Sequence, residues 1–212
     1  MLASTSSTYF FDYESPAIQA LIEAFKNPML SDQEKATGLY LKVRDGWRYN
    51  PYDIVFRKDA LKASNIAQKS HGHCIDKSVL YITGLRGLGI PAKLHLAKVK
   101  NHIAVERLTE KFGTNELTPH GMVDVYVNKR WIKATPAFNK ELCRMTGVEP
   151  LDFDGSEDSI FQQFDKEGNE FMEYLEDYGS FDDVPLEFIE SNMKENYPKL
   201  ASLMNDAGEL KL

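Results

Sequence analysis

Ser70-His71-Gly72-His73-Cys74-Ile75-Asp76-Lys77-Ser78-Val79-Leu80 reads as a tight loop running straight into a helix, with Cys74 at the join. Ile75, Val79, Ile82 and Leu85 recur at helical spacing, so one face is apolar. The pattern stops at Gly87-Leu88-Gly89-Ile90-Pro91, where glycines and then a proline end the helix. A helix N-terminus presents unpaired N–H groups and the positive end of the macrodipole. A thiol placed there has its thiolate stabilised, and the same N–H groups can hold a developing oxyanion. Gly72 removes a side chain where a substrate backbone would approach. Taken alone, a buried cysteine at an ordinary helix start is the plainer reading. The rest of the chain changes that balance.

Upstream, Ser15-Pro16 opens a first helix, with serine at the cap and proline at the first helical position. Its apolar stripe is Ile18, Leu21, Ile22 and Phe25, and Asn27-Pro28 ends it. Ser31-Asp32-Gln33-Glu34 is a capping box. The helix that follows carries Ala36, Leu39, Tyr40, Val43 and Trp47 on one face. Residues 45–52 form a turn-rich linker, with Tyr49 and Tyr52 read as packing on the core or flanking a cleft. A polar helix is expected over Lys58 to Gln68.

Downstream the period changes. Residues 92–97 alternate as a strand does, and a short helix or loop excursion covers Ile103 to Phe112. His120 to Val127 reads as a second strand, Asn128-Lys129 as a hairpin turn, and Arg130 to Ala134 as the returning strand. Helices followed by antiparallel strands make an α+β fold. Glu170 to Tyr178 and Leu186 to Tyr197 are expected to be short amphipathic helices, with a last piece running to Met204. A soft boundary near Gly147 divides a core, residues 1–147, from an acidic, mostly helical C-terminal extension, residues 148–212.

The chain has 212 residues with a 42% apolar and 27% charged composition, as soluble globular proteins do. No apolar run approaches the ~20 residues of a membrane span. Met1 to Tyr13 lacks the basic start and apolar core of a signal peptide. A cytoplasmic location is therefore expected. Two cysteines are too few for a disulfide framework. Residues 1–140 hold 20 Lys+Arg against 13 Asp+Glu, whereas residues 141–190 hold 2 against 16. The acidic segment is read as packing against its own basic body, with attraction of a basic substrate as the alternative. No basic stripe with interleaved aromatics points to nucleic acid.

Three blocks together resemble the transglutaminase-like superfamily of papain-type cysteine enzymes. The first runs from His71-Gly72-His73-Cys74 to Leu85-Arg86-Gly87-Leu88-Gly89-Ile90-Pro91-Ala92-Lys93. The second is the histidine strand, His120-Gly121-Met122-Val123-Asp124-Val125. The third is Trp131-Ile132-Lys133-Ala134-Thr135-Pro136. The resemblance spans residues 65–140 and implies a papain-like core, with the nucleophile helix packed on an antiparallel sheet. It implies Cys74 as nucleophile and His120 as general base in amide or peptide hydrolysis or transamidation. A peptide, protein or small amide would be the substrate, and no cofactor is expected. Two departures stand out. Met122 replaces the family's tryptophan, and Thr135 replaces the aspartate that orients the histidine. Thr135 and Asn139 are the candidates for that role. Asp124 ranks behind them, because four residues along a strand separate it from His120 by about 13–14 Å.

The remaining histidines are weighed as cleft residues. His71 and His73 flank the nucleophile, and His102, in a loop after Asn101, is a candidate for a cleft wall. A metal cluster of His71, His73, Cys74 and His102 is too crowded for ordinary zinc spacing. His95 is read as a packed or half-exposed strand residue, Cys143 as structural, and Asp76 and Lys77 as a solvated face or local ion pair. Against the enzyme stands one rival, a binding or scaffold protein that keeps the fold without chemistry. The missing acid favours it, and retention of Cys74 and His120 opposes it.

Overall fold

A computed structural model describes residues 3–55, 57–102, 105–160, 166–169 and 171–198. Helix α1, Pro16–Ile22, begins after Ser15 with proline at its first position and buries Ile18, Leu21 and Ile22. Helix α2, Asp32–Gly46, opens with a complete capping box. The Ser31 hydroxyl accepts from the Glu34 N–H at 3.2 Å, and the Glu34 carboxylate accepts from the Ser31 N–H at 2.8 Å. The short strand β1, Arg48–Tyr49, follows. The helix expected from Lys58 to Gln68 forms only as α3, Ala63–Ile66, with turns on either side. Strand β2, His71–Gly72, pairs in parallel with β1 and leads into α4, Cys74–Gly87.

Helix α4 is the centre of the molecule. The spacing predicts one apolar face, yet every residue from Cys74 to Arg86 is buried. Helices α1, α2 and α3 pack on one side, and strands β3, Ala92–Asn101, and β4, Glu116–Val127, pack on the other. Its polar residues must therefore be satisfied internally. Arg86 donates to the carbonyls of Ala92, Ser6 and Asp182 and lies over the Phe11 ring. One side chain thus fastens the N-terminal segment, the start of β3 and the C-terminal segment to α4.

Helix α5, Val105–Phe112, links β3 to β4. Strand β5, Arg130–Ala134, returns through a turn with positive φ at Asn128 and Lys129. Helix α6, Lys140–Thr146, follows. Residues 172–181 then form strand β6, and helix α7, Leu186–Asn196, follows. The sheet is antiparallel in the order β5-β4-β3-β6.

Strand β6 corrects the helix expected over Glu170 to Tyr178. Pairing with β3 sets Glu176 opposite Lys98 and Glu173 opposite Lys100. Opposite charges across a ladder stabilise it, and a local helical spacing does not report on a partner some 70 residues away. Asp182 also lies 3.4 Å from Lys93, and Asp152 lies 2.5 Å from Arg44. The acidic segment thus meets the basic body of its own chain. The piece expected to continue to Met204 lies outside the described residues, as does Ile103. No described helix is long and apolar enough to cross a membrane.

Candidate active site

Cys74 is the first residue of α4, and His73 is its cap. The His73 Nδ1 accepts from the N–H of Ile75 at 3.1 Å and of Asp76 at 3.4 Å. The Asp76 carboxylate in turn accepts from the His73 N–H at 3.4 Å. Because Nδ1 accepts, the neutral ring carries its proton on Nε2. The Asp76 side chain fills the space a Cβ on Gly72 would need, 2.9 Å from the Asp76 Cβ. Gly72 is therefore a packing requirement of the cap, and its carbonyl accepts from the Asn50 N–H.

Strand β4 brings His120 to this helix end. A Cβ on Gly121 would lie 2.9 Å from the Ile75 Cα, so only glycine lets the strand approach so closely. His120 itself is 1% exposed, and neither ring nitrogen has a hydrogen-bond partner. Burial, and then the charge of His73, push its pKa down to about 4. Burial also pushes the Cys74 thiol up to about 11, against backbone hydrogen bonds from Gly121 and Ile75. Both shifts disfavour moving the proton from Cys74 to His120, so burial favours the neutral thiol and the neutral imidazole.

The closure has a visible cause. Cys74 opens into a cavity of about 50 Å³, walled by Tyr49, Leu117, Thr118 and the α7 side chains Ile189 and Met193, with Tyr197 just beyond that helix. Its volume suits one or two water molecules.

The match that decides the family covers residues 19–136, more than half of the chain and all of this helix–strand seam. The chain belongs to the transglutaminase-like superfamily. A crystal structure of a proposed cysteine protease from Cytophaga hutchinsonii is also similar, with a TM-score of 0.48 at 13% identity. That similarity covers 63% of this chain and 40% of the other protein. No curated protein matches.

Within this transglutaminase-like core neither residue that the sequence offers for the third triad position bonds His120. Thr135 is buried and its hydroxyl has no hydrogen-bond partner, so it makes no bond to His120. Its backbone is held firmly, the N–H donating to Ser159 and the carbonyl accepting from the Tyr40 hydroxyl. Asn139 caps α6 in position, and its side-chain oxygen accepts from the Tyr49 N–H at 3.0 Å. It too makes no bond to His120. Asp124 lies in a separate cluster, 3.1 Å from His95 and hydrogen-bonded to Ser180.

The other histidines also divide. His73 lines the Cys74 cavity, whereas His71 pairs with Asp53 at 2.7 Å and His102 lies 3.4 Å from Glu173. No group of three or more His, Cys, Asp or Glu among the described residues is arranged to hold a metal ion.

Lys77 overturns its sequence reading as a solvated residue. It is fully buried, and its ammonium donates to the carbonyls of Arg44 at 2.7 Å, Trp47 at 2.8 Å and Ala137 at 2.7 Å. Burial pulls its pKa down to about 7, while the three carbonyls favour the charged form. Asp76 is equally buried, as the returning half of the cap. Tyr49 and Tyr52 both line the cleft region rather than only packing on the core.

Proposed function

We propose that this protein is a cysteine-dependent acyl-transfer enzyme acting on an amide or peptide bond. The observation that carries the reading is His120, a fully buried imidazole with both nitrogens unpartnered beside the nucleophile helix. Leaving a buried polar group unsatisfied costs about 1–3 kcal/mol. A core position free of function is filled more stably by an apolar side chain.

In this mechanism the cleft first opens and admits water and substrate around Cys74. Solvation removes the burial that raises the thiol and lowers the imidazole, and the proton passes from Cys74 Sγ to His120. The sulfur forms a bond to the carbonyl carbon, and the carbonyl π electrons move to oxygen. In this reading the Cys74 backbone N–H, at the first position of the helix, receives that oxyanion. Collapse breaks the C–N bond, and the imidazolium proton leaves with the amine. Water or a second amine then attacks the thioester, giving an acid or a new amide and restoring the thiol.

A second reading, a binding protein that retains the fold, is favoured by the unpartnered Thr135 hydroxyl and the absence of a bonded Cys74–His120 pair. The pH dependence of Cys74 alkylation separates the two, measured on Cys143→Ala protein with and without His120→Ala. Acyl transfer predicts that alkylation, which samples the opened cleft, draws on a thiolate present well below the free-cysteine value of about 8.5, and that this reactivity is lost in His120→Ala. A profile indifferent to His120 favours the binding protein.

A further inference from the structure

A second cavity, of about 300 Å³, lies beside the Cys74 chamber. The two share Tyr49, Pro51 and Leu117 as a common wall. The larger one is lined chiefly by Tyr49, Tyr52, Leu108, Phe138, Leu142 and Phe171, and no charged side chain is among its described lining residues.

Its aromatic wall is braced. The Tyr49 and Phe138 rings meet edge to face at 4.8 Å, and Phe138 meets Phe171 at 5.7 Å. Asn139 holds the Tyr49 backbone at 3.0 Å. The Lys77 ammonium holds the carbonyls of Trp47 and Ala137, which lie two residues before Tyr49 and one before Phe138, to α4. The cavity is thus built before anything binds, unlike the small chamber over Cys74.

We propose that this cavity receives an uncharged aromatic or large aliphatic side chain of the acyl donor, next to the bond that Cys74 attacks. The inference rests on the acyl-transfer reading and names its substrate class. Volume supports it, since an apolar cavity of about 150 Å³ already binds benzene. Charge supports it as well. A lysine or glutamate side chain entering here would lose its hydration and find no counter-charge among the described lining residues. Attraction of a basic substrate by the acidic C-terminal segment is correspondingly disfavoured, because that segment is engaged with the chain's own lysines.

The test uses full-length Cys143→Ala protein and peptidyl chloromethyl ketones. Phe, Leu, Ala, Lys or Glu is placed at each of the two residues nearest the ketone. Cys74 alkylation, in which the thiolate sulfur displaces chloride, is timed relative to iodoacetamide. Phenylalanine or leucine at one of the two positions is expected to react about 10-fold or more faster than alanine, with lysine and glutamate at or below alanine. Leu142→Trp, which narrows the cavity, is expected to reduce that preference. Equal rates across the panel, or a preference for a charged side chain, overturn the assignment. The panel on the chain with native Leu142 decides the matter even where Leu142→Trp does not fold. His120→Ala tests acyl transfer separately. Loss of side-chain preference with His120 dependence intact removes the cavity assignment alone. Preference without His120 dependence removes acyl transfer and leaves the cavity as a binding site.

Discussion

The Tyr197 hydroxyl accepts a hydrogen bond from the Thr118 backbone N–H at 2.7 Å and donates one to the Glu116 carbonyl at 2.9 Å. Asn192 adds a third link, its side-chain oxygen accepting from the Thr118 hydroxyl at 2.8 Å. These bonds seat α7 on β4, with Ile189 and Met193 over the Cys74 chamber. Cys74 is thus covered in part by the C-terminal part of its own chain. Tyr197→Phe removes both hydroxyl bonds, a loss of about 1–3 kcal/mol. Opening then becomes roughly 5- to 160-fold more frequent, and iodoacetamide alkylation of Cys74 should accelerate in proportion. An unchanged alkylation rate in a folded Tyr197→Phe protein would show that α7 does not control access.

Lys77 lies three residues past Cys74, and its three carbonyl bonds join the end of α2, the approach to β1 and the loop after β5. Lys77→Met keeps the length of the side chain and removes every donor. The three acceptors then lose a charged partner inside the protein, where such bonds contribute about 1.5–3 kcal/mol each. Loss of the ammonium's own burial cost offsets part of this. The net expectation is a loss on the order of 3 kcal/mol, read from urea unfolding. A midpoint within error of the native protein would remove Lys77 as the clamp of the cleft walls.

Lys77 also marks where sequence reasoning stops. The capping box at Ser31, the turn at Asn128 and the helix start at Cys74 were all legible, because each depends on residues close in sequence. The burial of Lys77 depends on Arg44, Trp47 and Ala137, which are distant in the chain. A lone charge on an apolar helix therefore reads as solvated, although α4 is enclosed on every side. Strand β6 failed for a related reason. Phe171, Leu175 and Tyr178 have helical spacing, but the ladder with Lys98 and Lys100 decides the conformation. The placement of Cys74 and His120 at one seam followed from the order of helix and strand. The close approach at Gly121 and the seal by α7 required coordinates.

His95 lies between two carboxylates, 3.1 Å from Asp124 on β4 and 2.9 Å from Asp177 on β6. Burial lowers its pKa, but the hydrogen bond and charge of Asp124 and the charge of Asp177 outweigh burial and the opposing Lys133, so the net shift is upward. Tyr174 and Ser180 complete the surroundings. With the folded value above the ordinary 6.5, the stabilisation is fully present below about pH 6.5 and is lost as pH rises through the raised value. The native chain should lose more stability between pH 6 and pH 8.5 than His95→Asn, compared by urea midpoints. Parallel pH profiles for the two proteins would contradict the assignment.

Thr135 offers a direct test of the proposed Cys74–His120 pair. Its hydroxyl is buried and unpartnered, and nothing negative contacts the His120 ring. Thr135→Asp adds a carboxylate at the position where the superfamily resemblance implies one. Its burial costs stability, because an aspartate here starts without a charged partner. That cost falls when His120 becomes an imidazolium, so the substitution favours the thiolate–imidazolium pair over the neutral pair. The His120 pKa should rise from its depressed value. The pH midpoint of Cys74 alkylation should fall, with a gain of about 10-fold in rate near pH 6.5 for each pKa unit gained. Thr135→Asn has nearly the same shape without the charge and should give little of this gain. A Thr135→Asp protein that folds, yet alkylates with the native pH profile, would place the carboxylate out of reach of His120. Asn139, already bonded to Tyr49 on the cleft wall, would then be the position to substitute next.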